Sequence, residues 1–279
     1  MIVQHNMTAL NANRQLGITN RNIAKSTEKL SSGYRINRAA DDAAGLSISE
    51  KMRGQIRGLK QASTNAQDGQ SLIQTAEGAL NEIHAVLQRM RELTVQASND
   101  TNVTADRRAI AKEVRALTSE INRIATQTEF NTMKLLSGKF KNKILQVGAN
   151  TKQCITFSID KMTAGKLGVS VGAIAKEISA KNLTNGMTIT KLITIVNQAI
   201  SKVSTQRSAL GALQNRLDHT ITNADNMAEN LQSSESKIRD VNMADEMVAY
   251  SAKSILQQAG QSMLAQANRS TQGVLSLLG

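Results

Sequence analysis

The sequence contains no proline and no tryptophan, and only two tyrosines and three phenylalanines among its 279 residues. Average usage is about 5% proline. Proline breaks helix interiors because it lacks a backbone N–H and its ring clashes with the preceding turn, so its absence favours long, uninterrupted helices. Aromatic side chains dominate most ligand pockets. Their scarcity argues against such a pocket and requires a core of aliphatic side chains.

Residues suited to catalysis or metal binding are few and scattered. The single cysteine, Cys154, cannot form an internal disulfide, and we interpret it as a small strand residue. The histidines are not clustered, and no zinc-protease, nucleophile-elbow or phosphate-loop motif occurs. Asp41 and Asp42 follow Arg35 and Arg38, which favours a charged turn between helices over an acid/base pair. We therefore predict a chain that is not an enzyme and has no metal and no cofactor.

Long apolar runs are also missing, since none approaches the roughly 18 residues of a membrane span. Residues 1–10 lack the apolar core of a secretory signal peptide, so we expect no cleaved signal and no membrane partner. The net charge is +12, of which residues 1–60 and 139–181 each carry +6. No aromatic residues are interleaved with these basic residues to stack on bases. A solvated basic face is therefore favoured over nucleic-acid binding.

A heptad repeat in the C-terminal half is the most informative pattern present. One apolar seam recurs every seven residues from Ile189 to Ile238, and a companion seam runs from Leu192 through Thr220 and Met227. Alternating steps of three and four are typical of a long helix packed as in a left-handed coiled coil. A helix of this extent is about 80 Å long at 1.5 Å per residue.

The N-terminal half carries a matching repeat. One seam runs from Leu59 to Thr94 and the other from Ala62 to Ala97, and the small residues around Gly69 indicate that another backbone approaches closely. A second helix is predicted after a polar break, with Thr104 as its N-cap. Its own seam suggests an antiparallel return. Both halves are therefore expected to contribute long helices to one elongated bundle.

The middle of the chain, residues 139–187, changes from helical to alternating periodicity. Leu145 and Val147 alternate, a turn follows, and Ile155 and Phe157 alternate again, which predicts a β-hairpin. We expect this segment to be the only non-helical part. The predicted fold class is mainly α: a long coiled-coil-like helical bundle formed by the N- and C-terminal halves, with a small β-hairpin segment in the middle.

The two ends carry thinner apolar stripes than the helices between them. Such stripes are too narrow to stabilise an isolated helix, because isolated helices are marginal without tertiary packing. We infer that both ends are disordered in a free monomer and fold when the two stripes meet inside an assembly. The predicted assembly interface comprises Leu16, Ile23, Leu30, Leu256, Met263, Ala267, Val274 and Leu278.

Several long motifs resemble bacterial flagellins and occur in the same order. They are LSSGYRINRAADDAAGLSIS at 30–49, LQRMRELTVQASN at 87–99, FNTMKLLSG at 130–138, LQVGAN at 145–150, and the C-terminal segment 236–279 with SKIRDVNMADEM and QQAGQSMLAQAN. The resemblance covers nearly the whole chain. It is closest to a minimal flagellin that lacks large variable outer domains.

This resemblance implies a domain organisation and a function. Residues 1–42 and 235–279 would form the inner terminal coiled-coil domain at the filament core, and 43–234 a rod-like helical domain with the hairpin region at about 139–187. The implied function is a structural subunit that polymerises into the bacterial flagellar filament used for motility. A hook–filament junction protein is the alternative. Four lysines lie outside the family pattern: Lys139, Lys141, Lys143 and Lys152.

Partners and location also follow from the resemblance. The chain would be exported unfolded by the flagellar export apparatus with a secretion chaperone, and assembled at the filament tip as a secreted, extracellular helical homopolymer. Hook-associated and cap proteins would be further partners. Arg89, Leu93 and Glu113 resemble residues contacted by a host flagellin-sensing Toll-like receptor. The alternative is that these three residues serve assembly alone.

Overall fold

The computed structural model describes residues 6–170 and 186–278, with side chains for 6–170 and 191–270. The chain divides into two compact units: the terminal unit, residues 1–56 and 229–279, and the middle unit, residues 57–228. The fold is mainly helical with a small central hairpin, which confirms the predicted class. The helices are α1 Met7–Ser32, α2 Ala43–Ser98, α3 Thr104–Gln127, α4 Ala164–Leu167, α5 Gly186–Arg239 and α6 Met243–Leu278. The strands are β1 Glu129–Phe130, β2 Met133–Lys134, β3 Lys143–Gln146 and β4 Cys154–Phe157.

The core of the middle unit is built from the predicted heptad seams. On α2, Leu80, Ile83 and Leu87 are completely buried, and on α5 Val196 and Val203 are equally inaccessible. These residues belong to one hydrophobic cluster to which α3 also contributes. Aliphatic side chains on three long helices therefore supply the buried apolar area that aromatic residues provide in most domains.

The seam of α5 changes phase after Leu217, which corrects the predicted companion positions. Beyond this point Ala224 of the predicted first seam and Ala228 are buried and Ile221 is half-buried, whereas Met227 of the companion seam is 46% exposed. A straight helix drifts by about 20° per heptad relative to a strict 3.5-residue repeat. Two consecutive steps of four residues, from Leu213 to Leu217 and from Leu217 to Ile221, offset this drift. The buried face therefore moves from the Thr220 and Met227 positions to the residues that follow them.

The predicted central hairpin is formed by β3 and β4. The strands pair antiparallel with Leu145 opposite Ile155. The hairpin lies against α2, where Asn65 Nδ2 donates to the Gln146 carbonyl at 3.2 Å. At Gly69 the approaching group is the Leu145 side chain, and not a second backbone as predicted.

A second, shorter hairpin lies outside the segment that the sequence marked as non-helical. Strands β1 and β2 pair Phe130 with Met133, and the two turn residues Asn131 and Thr132 have φ values of 45° and 63°. Two consecutive positive φ values are typical of a two-residue hairpin turn whose twist matches that of the strands. The expectation of a single non-helical region was therefore wrong.

Two local predictions at helix ends need correction. Helix α3 begins at Thr104, but the N-cap is Val103, whose N–H donates to the Asp106 carboxylate at 3.2 Å. The predicted charged turn before α2 is present, but the arginine and aspartate side chains of the turn do not pair with each other. Arg38 pairs with Glu28 at 3.0 Å, while the Asp41 carboxylate accepts backbone N–H groups of the turn itself.

The terminal unit contains the antiparallel pair formed by α1 and α6, together with a short backbone connection at the ends of α1 and α5. Gly33 ends α1 in the left-handed conformation with φ 75°, and its carbonyl accepts the Val241 N–H at 3.0 Å. The Arg35 N–H donates to the Arg239 carbonyl at 2.7 Å. Ile36, 2% exposed, anchors the chain that follows α1.

Candidate assembly interface

The contact between α1 and α6 is largely polar. Asn6 Nδ2 donates to the Ala267 carbonyl at 2.9 Å, and Lys253 Nζ donates to Ser26 Oγ at 2.7 Å. These bonds, 20 residues apart on α1, fix the antiparallel register. Ser26 is the only fully buried side chain on α1. The two helices are therefore aligned with each other by hydrogen bonds.

The predicted interface residues of α1 lie on the face toward α6. Leu16, Ile23 and Leu30 are all half-buried. The Leu16 Cδ1 atom would lie 3.5 Å from a Cβ atom placed on Gly260, so the Leu16 side chain packs next to Gly260. The half-buried stripe on α1 thus includes Leu16, which contacts the partner helix at Gly260.

The predicted interface residues of α6 are divided between two faces. Ala267 is half-buried against α1, whereas Leu256 and Met263 are 61% and 64% exposed. Leu256 and Met263 are therefore not covered within the single chain, and their predicted role in the assembly interface stays a prediction. The seven-residue spacing defines a face of a helix but not what covers it, and the face toward α1 is formed around Gly260. The side chains of Val274 and Leu278 lie outside the described residues.

Large apolar side chains are exposed on both helices of this pair. We call them the apolar surface of the terminal unit. An exposed apolar surface of this kind is a candidate interaction site. Its members, between 37% and 71% exposed, are Met7, Leu10, Ile18, Met243, Met247, Val248, Ile255, Leu256 and Met263.

A charged cluster supports the link between α5 and α6. Arg239 donates to Glu50 Oε1 at 2.8 Å, and its guanidinium lies 4.8 Å from the centre of the Tyr34 ring. This hydrogen bond holds the pKa of Glu50 below its usual value, and the nearby Arg53 acts in the same direction. Arg239 is itself only 14% exposed. The cluster joins α2, α5 and the segment after α1 at one point of the terminal unit.

The residues predicted to contact a host receptor lie on α2 and α3 of the middle unit. Arg89 forms ion pairs with Glu113 at 2.9 Å and with Glu92 at 3.0 Å. These acceptors raise the pKa of Arg89, with Glu92 contributing most. Leu93 is 1% exposed and belongs to the core, so its side chain does not reach the surface beside them.

Sites for a metal or a membrane were sought in the part of the chain that the structure describes. No group of three or more metal-ligating side chains comes together there. Within the same residues, every helix falls short of the length and hydropathy that a membrane crossing requires.

Comparison with known proteins identifies the family. Residues 3–141 match the bacterial flagellin N-terminal helical region, and residues 193–278 match the bacterial flagellin C-terminal helical region. The flagellin of Halalkalibacterium halodurans is 53% identical over 278 residues and is covered completely, as is this chain. The chain belongs to the bacterial flagellin family. The flagellin of Bacillus subtilis, 49% identical over 305 residues, is likewise covered over its whole length.

Family membership confirms the predicted function, a structural subunit of the flagellar filament. The fold alone is shared more widely. A solved structure from Vibrio parahaemolyticus, assigned to the flagellar hook-associated proteins, has a TM-score of 0.59 at 12% identity and covers 72% of this chain and 98% of its own. Helical architecture therefore does not separate a filament subunit from a junction protein, whereas sequence identity near 50% favours the filament subunit.

Proposed function

We propose that this flagellin polymerises through the apolar surface of the terminal unit, and that its role is structural and not catalytic. The exposure of Leu256 and Met263 on α6, together with Met7 and Leu10 on α1, carries this proposal. Full burial of a side chain of this size contributes about 1.5–3 kcal/mol. Contacts with neighbouring copies would supply the apolar burial that one chain lacks.

The polymer that such contacts produce is an open helix. The apolar surface includes residues of both α1 and α6, so different parts of it can meet different neighbours. Heterologous contacts of this kind generate an open helical filament when the rotation between successive copies does not close a ring. Because assembly draws on the paired form of α1 and α6, it stabilises that pairing by mass action. Because pairing of α1 and α6 is coupled to assembly, the two ends would be disordered before assembly and ordered afterwards.

In the filament, we propose that residues 1–42 and 235–279 form the inner domain at the core. Residues 43–234 would form the rod-like domain that carries the central hairpin. The low apolar burial of α1 and α6 supports this assignment, because helices with one unsatisfied face require a covering layer. The surrounding copies would provide that layer.

Export as an unfolded chain to an extracellular filament is part of the same proposal. A sequence without proline avoids slow peptide-bond isomerisation during refolding at the tip, and a single cysteine avoids disulfide exchange. The flagellar export apparatus, a secretion chaperone, and hook-associated and cap proteins would be its partners. A host Toll-like receptor would contact the exposed Arg89 and Glu113, with Leu93 supporting them from the core.

A double substitution on α6 tests the assembly proposal. In Leu256→Gln with Met263→Gln, we expect the concentration needed for polymerisation to rise at least tenfold, while the unfolding midpoint of the middle unit stays unchanged. Sedimentation and electron microscopy measure the first quantity, and urea titration followed by circular dichroism the second.

The matched control exchanges the two side chains, Leu256→Met with Met263→Leu. This variant keeps apolar character and volume, which cores and interfaces tolerate well. It should polymerise like the unaltered protein. Normal polymerisation of the glutamine variant would refute the role of this surface.

A further inference from the structure

We propose that a lysine-lined cavity in the middle unit binds a compact oligoanion that carries several phosphate or sulfate groups. The cavity has a volume of about 850 Å³ and lies between the loops after β2 and β4, α4 and α5. Its lining includes one acidic residue, Asp160, against five basic ones: Lys139, Lys141, Lys161, Lys166 and Lys202. Two of these lysines belong to the basic segment that the flagellin pattern leaves unexplained.

Backbone hydrogen bonds hold the lysine-bearing loops side by side. The Met162 N–H donates to the Leu136 carbonyl at 3.0 Å, and the Ile159 N–H donates to the Phe140 carbonyl at 2.9 Å. Gly138, with φ 87°, lies so close to Lys161 that an added Cβ would be 2.8 Å from the Lys161 Cβ. The backbone segments that carry Lys139, Lys141 and Lys161 are therefore held next to each other by main-chain geometry.

The third side of the cavity is formed by α4 and α5. Lys202 Nζ on α5 reaches the Lys166 carbonyl at 3.5 Å, which places its ammonium beside α4. The Ala164 N–H at the start of α4 donates to Asn122 Oδ1 at 3.1 Å, so α4 is fastened to α3. Lysines from three separate segments therefore face one space.

Like most lysines that the structure describes, the five that line the cavity form no salt bridge within the described residues, whereas Lys134 pairs with Glu129 and Lys253 with Glu246. Like charges held close together repel each other, and an anion placed among them would be attracted by all of them. A solvated basic face explains scattered lysines but not their convergence on a cavity.

An unsatisfied hydroxyl in the lining points independently to a ligand. The Ser137 Oγ atom is buried, and no protein group among the described residues forms a hydrogen bond with it. Buried polar atoms in native structures are almost always paired, so an unpaired one requires an explanation. Ser201, Thr205 and Gln206 add hydrogen-bonding groups on the α5 side. A phosphate or sulfate oxygen could accept a hydrogen bond from Ser137. The negative charge of the same group would be attracted by the lysine ammonium groups.

The composition of the lining selects among anions. A single small anion would neutralise only part of the charge from five lysines, so several linked anionic groups fit better. No aromatic ring is present among the described lining residues, and base stacking on aromatic rings is the usual basis of single-strand binding. A compact phosphate chain or a sulfated saccharide is therefore favoured over a nucleic acid.

Calorimetric titration of the full-length protein at low ionic strength tests the site. The probes are inorganic tripolyphosphate and a fully sulfated heparin tetrasaccharide, and the tighter one identifies the source of the anionic groups. In the cavity variant, Lys139→Gln with Lys161→Gln and Lys202→Gln, affinity for that probe should fall at least tenfold. The control variant, Lys60→Gln with Lys112→Gln and Lys152→Gln, removes the same charge from exposed positions outside the cavity. It should lose less than threefold.

A second variant distinguishes a built site from general charge attraction. Ser137→Ala keeps the net charge and should weaken the same probe by at least threefold, with the circular dichroism spectrum unchanged. Equal losses in the cavity and control variants would overturn the proposal, as would failure of both probes to bind. Tighter binding of an oligothymidylate with the same number of charges would also overturn it.

Discussion

The two units of the chain satisfy their apolar side chains in different ways. In the middle unit, Leu80, Leu87 and Val203 are completely buried by other helices of the same unit. In the terminal unit, Leu256 and Met263 remain mostly exposed, and the helix pair is aligned by polar contacts. The middle unit therefore contains its own core, whereas the terminal unit presents an apolar surface that neighbouring copies would cover.

This contrast separates stability from assembly. A substitution in the core of the middle unit should act on the unfolding of a single chain. A substitution on the apolar surface of the terminal unit should act on the polymer. Each prediction below tests whether stability and assembly respond to substitutions in different units.

Removal of residues 256–279 should have the largest effect. It deletes the C-terminal part of α6, including Gly260 and Ala267, which contact α1. We expect polymerisation to be abolished, while the middle unit stays folded and soluble. Electron microscopy and thermal unfolding measure the two properties. Filaments formed by this truncated protein would show that the terminal unit is dispensable.

Truncation of a core leucine should destabilise the single chain. Leu87 is completely buried, so Leu87→Ala leaves a cavity and should cost about 2–5 kcal/mol in the free energy of unfolding. Leu256→Ala removes the same atoms from a side chain that is 61% exposed, and should change that free energy by less than about 1 kcal/mol. Urea titration of both variants gives the comparison, and similar losses would contradict it.

Two glycines on α2 should respond in opposite directions. A Cβ at Gly58 would lie 2.8 Å from the Ala149 Cβ and 3.2 Å from its Cα, so Gly58→Ala should destabilise the middle unit by about 1–3 kcal/mol. A Cβ at Gly78 meets nothing within 4 Å, and Gly78→Ala should stabilise the helix by about 1 kcal/mol. Thermal unfolding of the pair checks the signs. A gain at both positions would show that the hairpin does not pack on α2 as described.

The smallest predicted effect is a pH dependence in the terminal unit. The pKa of Glu50 is lowered by Arg239, so their interaction stabilises the fold above the ordinary glutamate range and is lost as pH falls through the lowered value. Glu50→Gln should therefore unfold at a slightly lower temperature than the unaltered protein at pH 7, and the two should converge at pH 3. Glu120→Gln serves as the control in the middle unit. It removes a carboxylate whose pKa is likewise lowered by an arginine, Arg123, but it leaves the terminal unit unchanged. A difference of equal size at both pH values for Glu50→Gln would contradict the assignment.

Periodicity was sufficient to predict the core of the middle unit. The seam residues of α2 and the first half of α5 are buried where a heptad repeat places them, because the helices pack along their length. After Leu217 the first seam still holds at the buried Ala224, but the companion seam fails at the exposed Met227, since the helix departs from the strict repeat there. Periodicity also missed the hairpin at Asn131 and Thr132, whose only sequence signal is a turn-forming asparagine followed by a β-branched residue.

The candidate interface was predictable only in part, for a physical reason. The spacing of Leu256 and Met263 identifies an apolar face on α6, but the register with α1 is set by hydrogen bonds such as that of Lys253 with Ser26. Apolar periodicity does not encode those contacts. The lysine cavity depends on loop geometry at Gly138, which no periodic pattern expresses.

Hydrogen exchange of dilute monomer and of filament compares the two units most directly. If neighbouring copies complete the terminal unit, amides of α1 and α6 will exchange rapidly in the monomer and slowly in the filament, while those between Leu80 and Met90 will be protected in both. Equal, strong protection of α1 and α6 in a monomer at every concentration would show that the terminal unit needs no neighbours.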